Sequence, residues 1–131
     1  MSAAKGKQTM SKRFPIRFNP KYVWFYKLTG MPPSRAWIDV DDQELRVQMG
    51  IGFRATFPRS SVAGAVRDND RVWGWGVHGW RGKWLVNGTN EGLVRLTLSP
   101  ARARVLGFPV ALHTLRISVE DPAGLIQALR R

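Results

Sequence analysis

Between Arg13 and Arg35 the chain sets cations and rings side by side. Arg13, Arg17, Lys21, Lys27 and Arg35 are interspersed with Phe14, Phe18, Tyr22, Trp24, Phe25 and Tyr26. These residue types suit association rather than catalysis. Lys and Arg supply long-range attraction to an anionic surface, and aromatic rings supply contact at its apolar boundary. From Met1 to Arg35 there are eight Lys or Arg and no Asp or Glu, so +8 of the net +12 lies in that stretch. The set expected to meet an anionic surface is Arg13, Arg17, Lys21, Trp24, Phe25, Lys27 and Arg35.

A second constellation lies between Arg71 and Trp84. Trp73, Trp75, Trp80 and Trp84 are interleaved with glycines and with Arg71, His78, Arg81 and Lys83. One reading is a stacking platform for bases or sugars. The other is structural: Trp73, Trp75 and Val77 alternate on one strand face, with glycines where rings approach the backbone. The structural reading is preferred, and whether these rings are core or surface stays open. Trp80, between Gly79 and Arg81, is the ring expected at the surface. Arg71, His78, Trp80, Arg81 and Lys83 therefore form a second candidate binding patch.

The remaining chemistry-bearing residues assemble no catalytic or metal site. Gly74 to Gly79 reads G-x-G-x-x-G, but no buried strand precedes it and no helix start follows, so dinucleotide binding is rejected. His78 and His113 lack partners at metal-ligand spacing. Asp39, Asp41, Asp42 and Glu44 read as a solvated hairpin turn, not as a calcium loop or a catalytic pair. Ser60-Ser61 has no nearby base and no nucleophile-elbow sequence. The expectation is a non-enzymatic protein without a cofactor.

The elements that must position these residues follow from composition and period. The chain has 131 residues, 44% of them hydrophobic and none of them Cys. That is one domain with a real core, no disulfide framework and no thiolate chemistry. Residues 1–12 are expected to be a disordered basic tail, and 13–131 a single domain. Met1 to Arg13 lacks an apolar run of signal-peptide length, so the expected location is cytoplasmic, peripheral at the inner face of the membrane.

Pro15 argues for an edge strand or no pairing over Phe14 to Phe18. Asn19-Pro20 predicts a helix start, with Lys21 to Thr29 helical and Gly30 closing it at positive φ. Its apolar residues cover more than one face. The excess packs under the N-terminal segment or seats in a lipid headgroup layer.

From Arg35 the period becomes two. Ala36 to Val40, Leu45 to Met49, Phe53 to Phe57, Val62 to Val66, Lys83 to Val86, Leu93 to Leu98 and Val110 to Val119 read as strands, the last as one strand or as two joined by a bend near His113. Asn87-Gly88 reads as a hairpin turn. Ser99 to Pro109 reads as irregular and basic. Asp121-Pro122 caps a terminal helix with Leu125, Ile126 and Leu129 on one side.

Four segments carry a family resemblance: RFPIRFNP from Arg13, FPRSSV from Phe57, GWGVHGWRGKWLVNG from Gly74, and ISVEDP from Ile117. The chain resembles bacterial PH-like (pleckstrin-homology-like) domains, among them short actinobacterial proteins. The resemblance implies a mainly β fold, a bent antiparallel sheet of about seven strands in barrel or sandwich form. A C-terminal helix over 121–131 closes it, and a short helix lies within 13–35. In phosphoinositide-binding relatives the hairpin between the first two strands is basic. Here Asp41 to Glu44 is acidic, which places any anion site elsewhere. The expected partner is an anionic lipid surface or an acidic protein, with nucleic acid and protein scaffolding as alternatives.

Overall fold

The computed structural model describes residues 11–69 and 76–130. Most of the expected tail, and Arg71, Trp73 and Trp75, lie outside the described residues. Within them the chain forms nine strands and two α-helices. The strands are β1 (Lys12–Pro15), β2 (Ala36–Val40), β3 (Glu44–Met49), β4 (Phe53–Pro58), β5 (Val62–Arg67), β6 (Gly76–Trp80), β7 (Lys83–Asn87), β8 (Leu93–Val105) and β9 (Phe108–Ser118). The helices are α1 (Val23–Leu28) and α2 (Pro122–Leu129). Among the described residues, no helix is long and apolar enough to cross a membrane.

One sheet runs β1-β2-β3-β4-β8-β9-β7-β6, with β5 also paired to β8. The sheet curls back on itself. After β1 the chain leaves β2 and bridges Ile16 to Val119 and Phe18 to Gly88, at the far ends of β9 and β7. The result is a mainly β, curled half-barrel with a C-terminal helix and a short N-terminal helix, consistent with the PH-like description.

Alternation builds the core. In β4, Phe53, Ala55 and Phe57 are buried between exposed neighbours, and in β3 Leu45, Val47 and Met49 face the same interior. These join Phe14, Ile38, Leu96, Leu112, Leu115 and Ile117 in one cluster. α2 starts where Asp121 accepts a hydrogen bond from the Gly124 N–H at 3.0 Å. It buries Leu125 and Ile126 and packs against β5 and β8.

Three expectations change. Ser99 to Pro109 is not irregular: β8 and β9 run through it as a long hairpin turning at Leu106-Gly107. Ala101, Arg102, Ala103 and Arg104 carry the strand period with arginines outward. Pro100, which lacks an N–H, falls where β8 passes from β5 at Leu98 to β4 at Ala103, so no ladder bond is lost there. The bend near His113 is a register shift between Leu112 and Thr114.

Asn87-Gly88 is not a hairpin turn. β7 pairs with β6 and, in parallel, with β9, so β7 and β8 are not neighbours. The tight turn is instead Arg81-Gly82, both at positive φ, between β6 and β7. Nine strands with one parallel pair thus stand where the resemblance implies about seven antiparallel ones. Pro15 lies in β1, the terminal strand of the sheet order, opposite Trp37, which is the edge placement its sequence allows.

Candidate binding surface

Asn19 and Pro20 set up the N-terminal helix as the sequence predicts. The Asn19 side chain accepts from the Lys21 N–H at 3.0 Å, a 3₁₀ turn over Pro20–Tyr22 follows, and α1 continues to Leu28. Gly30, at φ 81°, ends it. The helix docks through one ring. Tyr26 is fully buried, edge-on to Phe18 at 4.8 Å, with its hydroxyl donating to the Asn87 carbonyl at 3.4 Å. Burial pushes its phenol up to about 12.

The rest of α1 faces outward. Trp24 is 61% exposed and Leu28 78%, and Phe25 is exposed between them, edge-on to both Trp24 and Tyr26. Lys21 and Lys27 are exposed on the same short segment. Of the expected set, the structure therefore groups Lys21, Trp24, Phe25 and Lys27. Arg35 ends a 3₁₀ turn just before β2, with an exposed side chain and a carbonyl that accepts from Gly50 N–H at 2.8 Å.

Arg13 and Arg17 are held differently. Arg13 donates from Nε and Nη2 to the two oxygens of Asp39, at 2.8 and 2.9 Å, and its guanidinium lies 4.0 Å over the Trp37 ring. Arg17 stands 3.7 Å from Glu91 and 3.9 Å from Glu120. Both cations are thus matched by carboxylates of this chain.

The acidic reversal is a structural turn, but not the solvated one expected throughout: Asp39 and Asp41 are buried, and Asp42 is exposed. Asp41 accepts from the N–H groups of Gln43 and Glu44 at 2.7 and 2.8 Å, and Arg46 reaches both Asp41 and Glu44. Burial alone would raise the Asp41 carboxyl. The two backbone hydrogen bonds and Arg46 outweigh it and hold the pKa below the ordinary carboxylate value. No cluster of potential metal ligands occurs among the described residues.

The second patch is partly assembled. His78 and Lys83 line an open cavity of about 740 Å³ with Trp84, Arg95, Thr97, Thr114 and Arg116. The cross-strand pairs Lys83–Thr114, Thr114–Thr97 and Arg116–Arg95 bring them onto one face. Arg116 is ion-paired with Asp68. Arg81 sits at the β6–β7 turn. Arg71 and the Trp80 side chain lie outside the described residues.

Arg95 and Arg116 are residues that sequence reasoning missed. Their signal was the period-two register of β8 and β9, not any motif. Trp84 is structural: its Nε1 donates to the Ala111 carbonyl at 3.1 Å. Gly79 lies beneath it, where a Cβ would come within 2.1 Å of the indole. G-x-G-x-x-G runs into strand β6 rather than a helix, as its rejection requires.

No protein-family model, no curated protein and no solved structure matches this chain.

Proposed function

We propose that this chain is a non-enzymatic, PH-like binding module that associates peripherally with an anionic membrane surface through α1. The observation that carries the reading is the division of labour on that helix. Tyr26 anchors it to the barrel, while Trp24, Phe25 and Leu28 project outward beside Lys21 and Lys27. A helix needed only for packing would bury its large rings. Exposed rings flanked by lysines match the headgroup boundary of a bilayer, where each Lys or Arg contributes about 1 kcal/mol against an anionic leaflet. Arg13 and Arg17 contribute to the long-range field, but their carboxylate partners offset their charge locally.

The non-enzymatic reading is supported by how the candidate groups are engaged. Ser118 and Ser61 hydroxyls bond to backbone carbonyls, and Asp39, Asp41 and Asp68 each face an arginine.

The test is vesicle co-sedimentation with anionic against neutral lipid, using the full chain. Deleting the N-terminal segment is uninformative, because Phe14 and Ile16 belong to the core. Trp24→Ala is the appropriate variant. Weaker binding to anionic vesicles at low salt is expected, and unchanged binding would remove α1 from the proposal.

Nucleic-acid binding is a second reading, favoured by the basic cavity that His78, Lys83, Arg95 and Arg116 line. It calls for an affinity for DNA or RNA that falls steeply with salt.

A further inference from the structure

Three chain reversals that are remote in sequence meet at one end of the barrel. Ile51 N–H donates to the Gly30 carbonyl at 3.0 Å, joining the β3–β4 turn to the end of α1. Leu106 N–H donates to the Gly52 carbonyl at 3.2 Å, joining the β8–β9 turn to both. The tips of these reversals are apolar and exposed: Ile51, Leu106 and Phe108, the last at 73%. Leu28, equally outward, lies two residues before Gly30.

Leu106 is notable twice over. It sits at φ 50°, a left-handed conformation suited to Gly or Asn, and its side chain gains no burial there. Strain without a packing return is a mark of functional positions.

The cations around the tip point the same way. Arg54 and Arg104 are cross-strand partners, and with Ile51 and Leu106 they line an open cleft of about 340 Å³. Arg102 continues the row. Neither that cleft nor the one with Arg102 is lined by an Asp or Glu. Asp39, Asp41, Asp42 and Glu44 belong to the β2–β3 reversal. Strand β3, of six residues, separates the β2–β3 reversal from the β3–β4 turn by about 20 Å.

We propose that this end of the barrel is a membrane-insertion tip. Ile51, Leu106 and Phe108 enter an anionic phospholipid bilayer while Arg54, Arg102 and Arg104 engage the phosphates. Single apolar side chains on separate turns suit entry between lipids, and an acid-free basic rim complements an anionic headgroup layer. The inference rests on the membrane reading of α1 and adds an orientation: the barrel stands end-on, with α1 at the rim of the contact.

The test uses full chain and vesicles of phosphatidylcholine with or without phosphatidylglycerol. Leu106→Asn with Phe108→Ser should weaken binding to the anionic vesicles at least tenfold, with thermal stability kept or raised. Because the chain contains no Cys, Phe108→Cys accepts a single environment-sensitive fluorophore, which should blue-shift on anionic vesicles. If the double variant binds like the parent and the fluorophore does not shift, the tip is refuted, and α1 stands or falls with Trp24→Ala. If the parent chain itself ignores anionic vesicles, both readings fail together, and the tip becomes a surface for a protein or nucleic-acid partner.

Discussion

Gly88 lies against the ring of Phe18 so closely that a Cβ on Gly88 would stand 2.5 Å from Phe18 Cδ2 and 2.7 Å from the Arg17 carbonyl. This approach draws the segment after β1 onto the ends of β7 and β9. Gly88 N–H donates to Ser118 Oγ at 3.0 Å, Ser118 donates to the Arg17 carbonyl at 2.9 Å, and the Gly88 carbonyl accepts from Asn19 N–H at 2.9 Å. Three segments are thereby tied at one point. Gly88→Ala should destabilise the fold by about 1–3 kcal/mol, as overpacking against backbone does, read as a lower urea midpoint at unchanged slope.

Tyr26 predicts an alkaline limit. Its phenol ionises near 12 in the folded chain, against an ordinary value of 10.0. Below the ordinary value it is neutral in both states. As pH rises from there, the unfolded chain ionises first and draws the equilibrium toward it, until the folded value is passed. Stability should therefore fall between about pH 10 and 12. In Tyr26→Phe that part of the fall should be absent, at a cost of about 1 kcal/mol at neutral pH for the lost hydroxyl bond. Denaturation curves across pH decide it.

Asp41 predicts an effect of the opposite sign. Its folded pKa is depressed, so the stability it contributes is present above the ordinary carboxylate value and lost as pH falls through the folded one. Asp41→Ala leaves the Gln43 and Glu44 N–H groups without their acceptor and should cost about 1–2 kcal/mol at neutral pH. Its acid limb should be flatter than that of the parent. A parallel acid limb would show that other carboxylates govern it.

Leu106 predicts a gain. Its left-handed backbone costs roughly 1–2 kcal/mol for a residue of this kind, and its side chain is exposed. Leu106→Gly or Leu106→Asn should raise the melting temperature by several degrees. A fall would mean that the side chain packs usefully, contrary to its exposure.

Much of the fold was legible locally. Asn19-Pro20 and Asp121-Pro122 marked helix starts that formed with the expected side-chain caps. Period-two alternation placed β2 to β5 within a residue or two. The errors share a cause. Asn87-Gly88 has hairpin chemistry, yet Gly88 is needed for the approach of Phe18, a contact made across most of the chain. Ser99 to Pro109 reads as irregular because Pro100 and the arginines mask an alternation that only the gap between β4 and β5 makes compatible with a strand.

The candidate surface divides in the same way. Sequence alone determined that the N-terminal quarter is basic and aromatic and that a short helix carries Trp24, Phe25 and Lys27, because composition, capping and period are properties of neighbouring residues. Only the tertiary structure decided which of those groups are spent internally. Arg13 meets Asp39, 26 residues along the chain, and Tyr26 turns inward onto Phe18 while its neighbours face out. It also decided that Leu28, Ile51, Leu106 and Phe108 share one end of the barrel with Arg54 and Arg104. That juxtaposition depends on strand register and on backbone bonds between distant turns, and pairing across the chain leaves no signature in the spacing of adjacent residues.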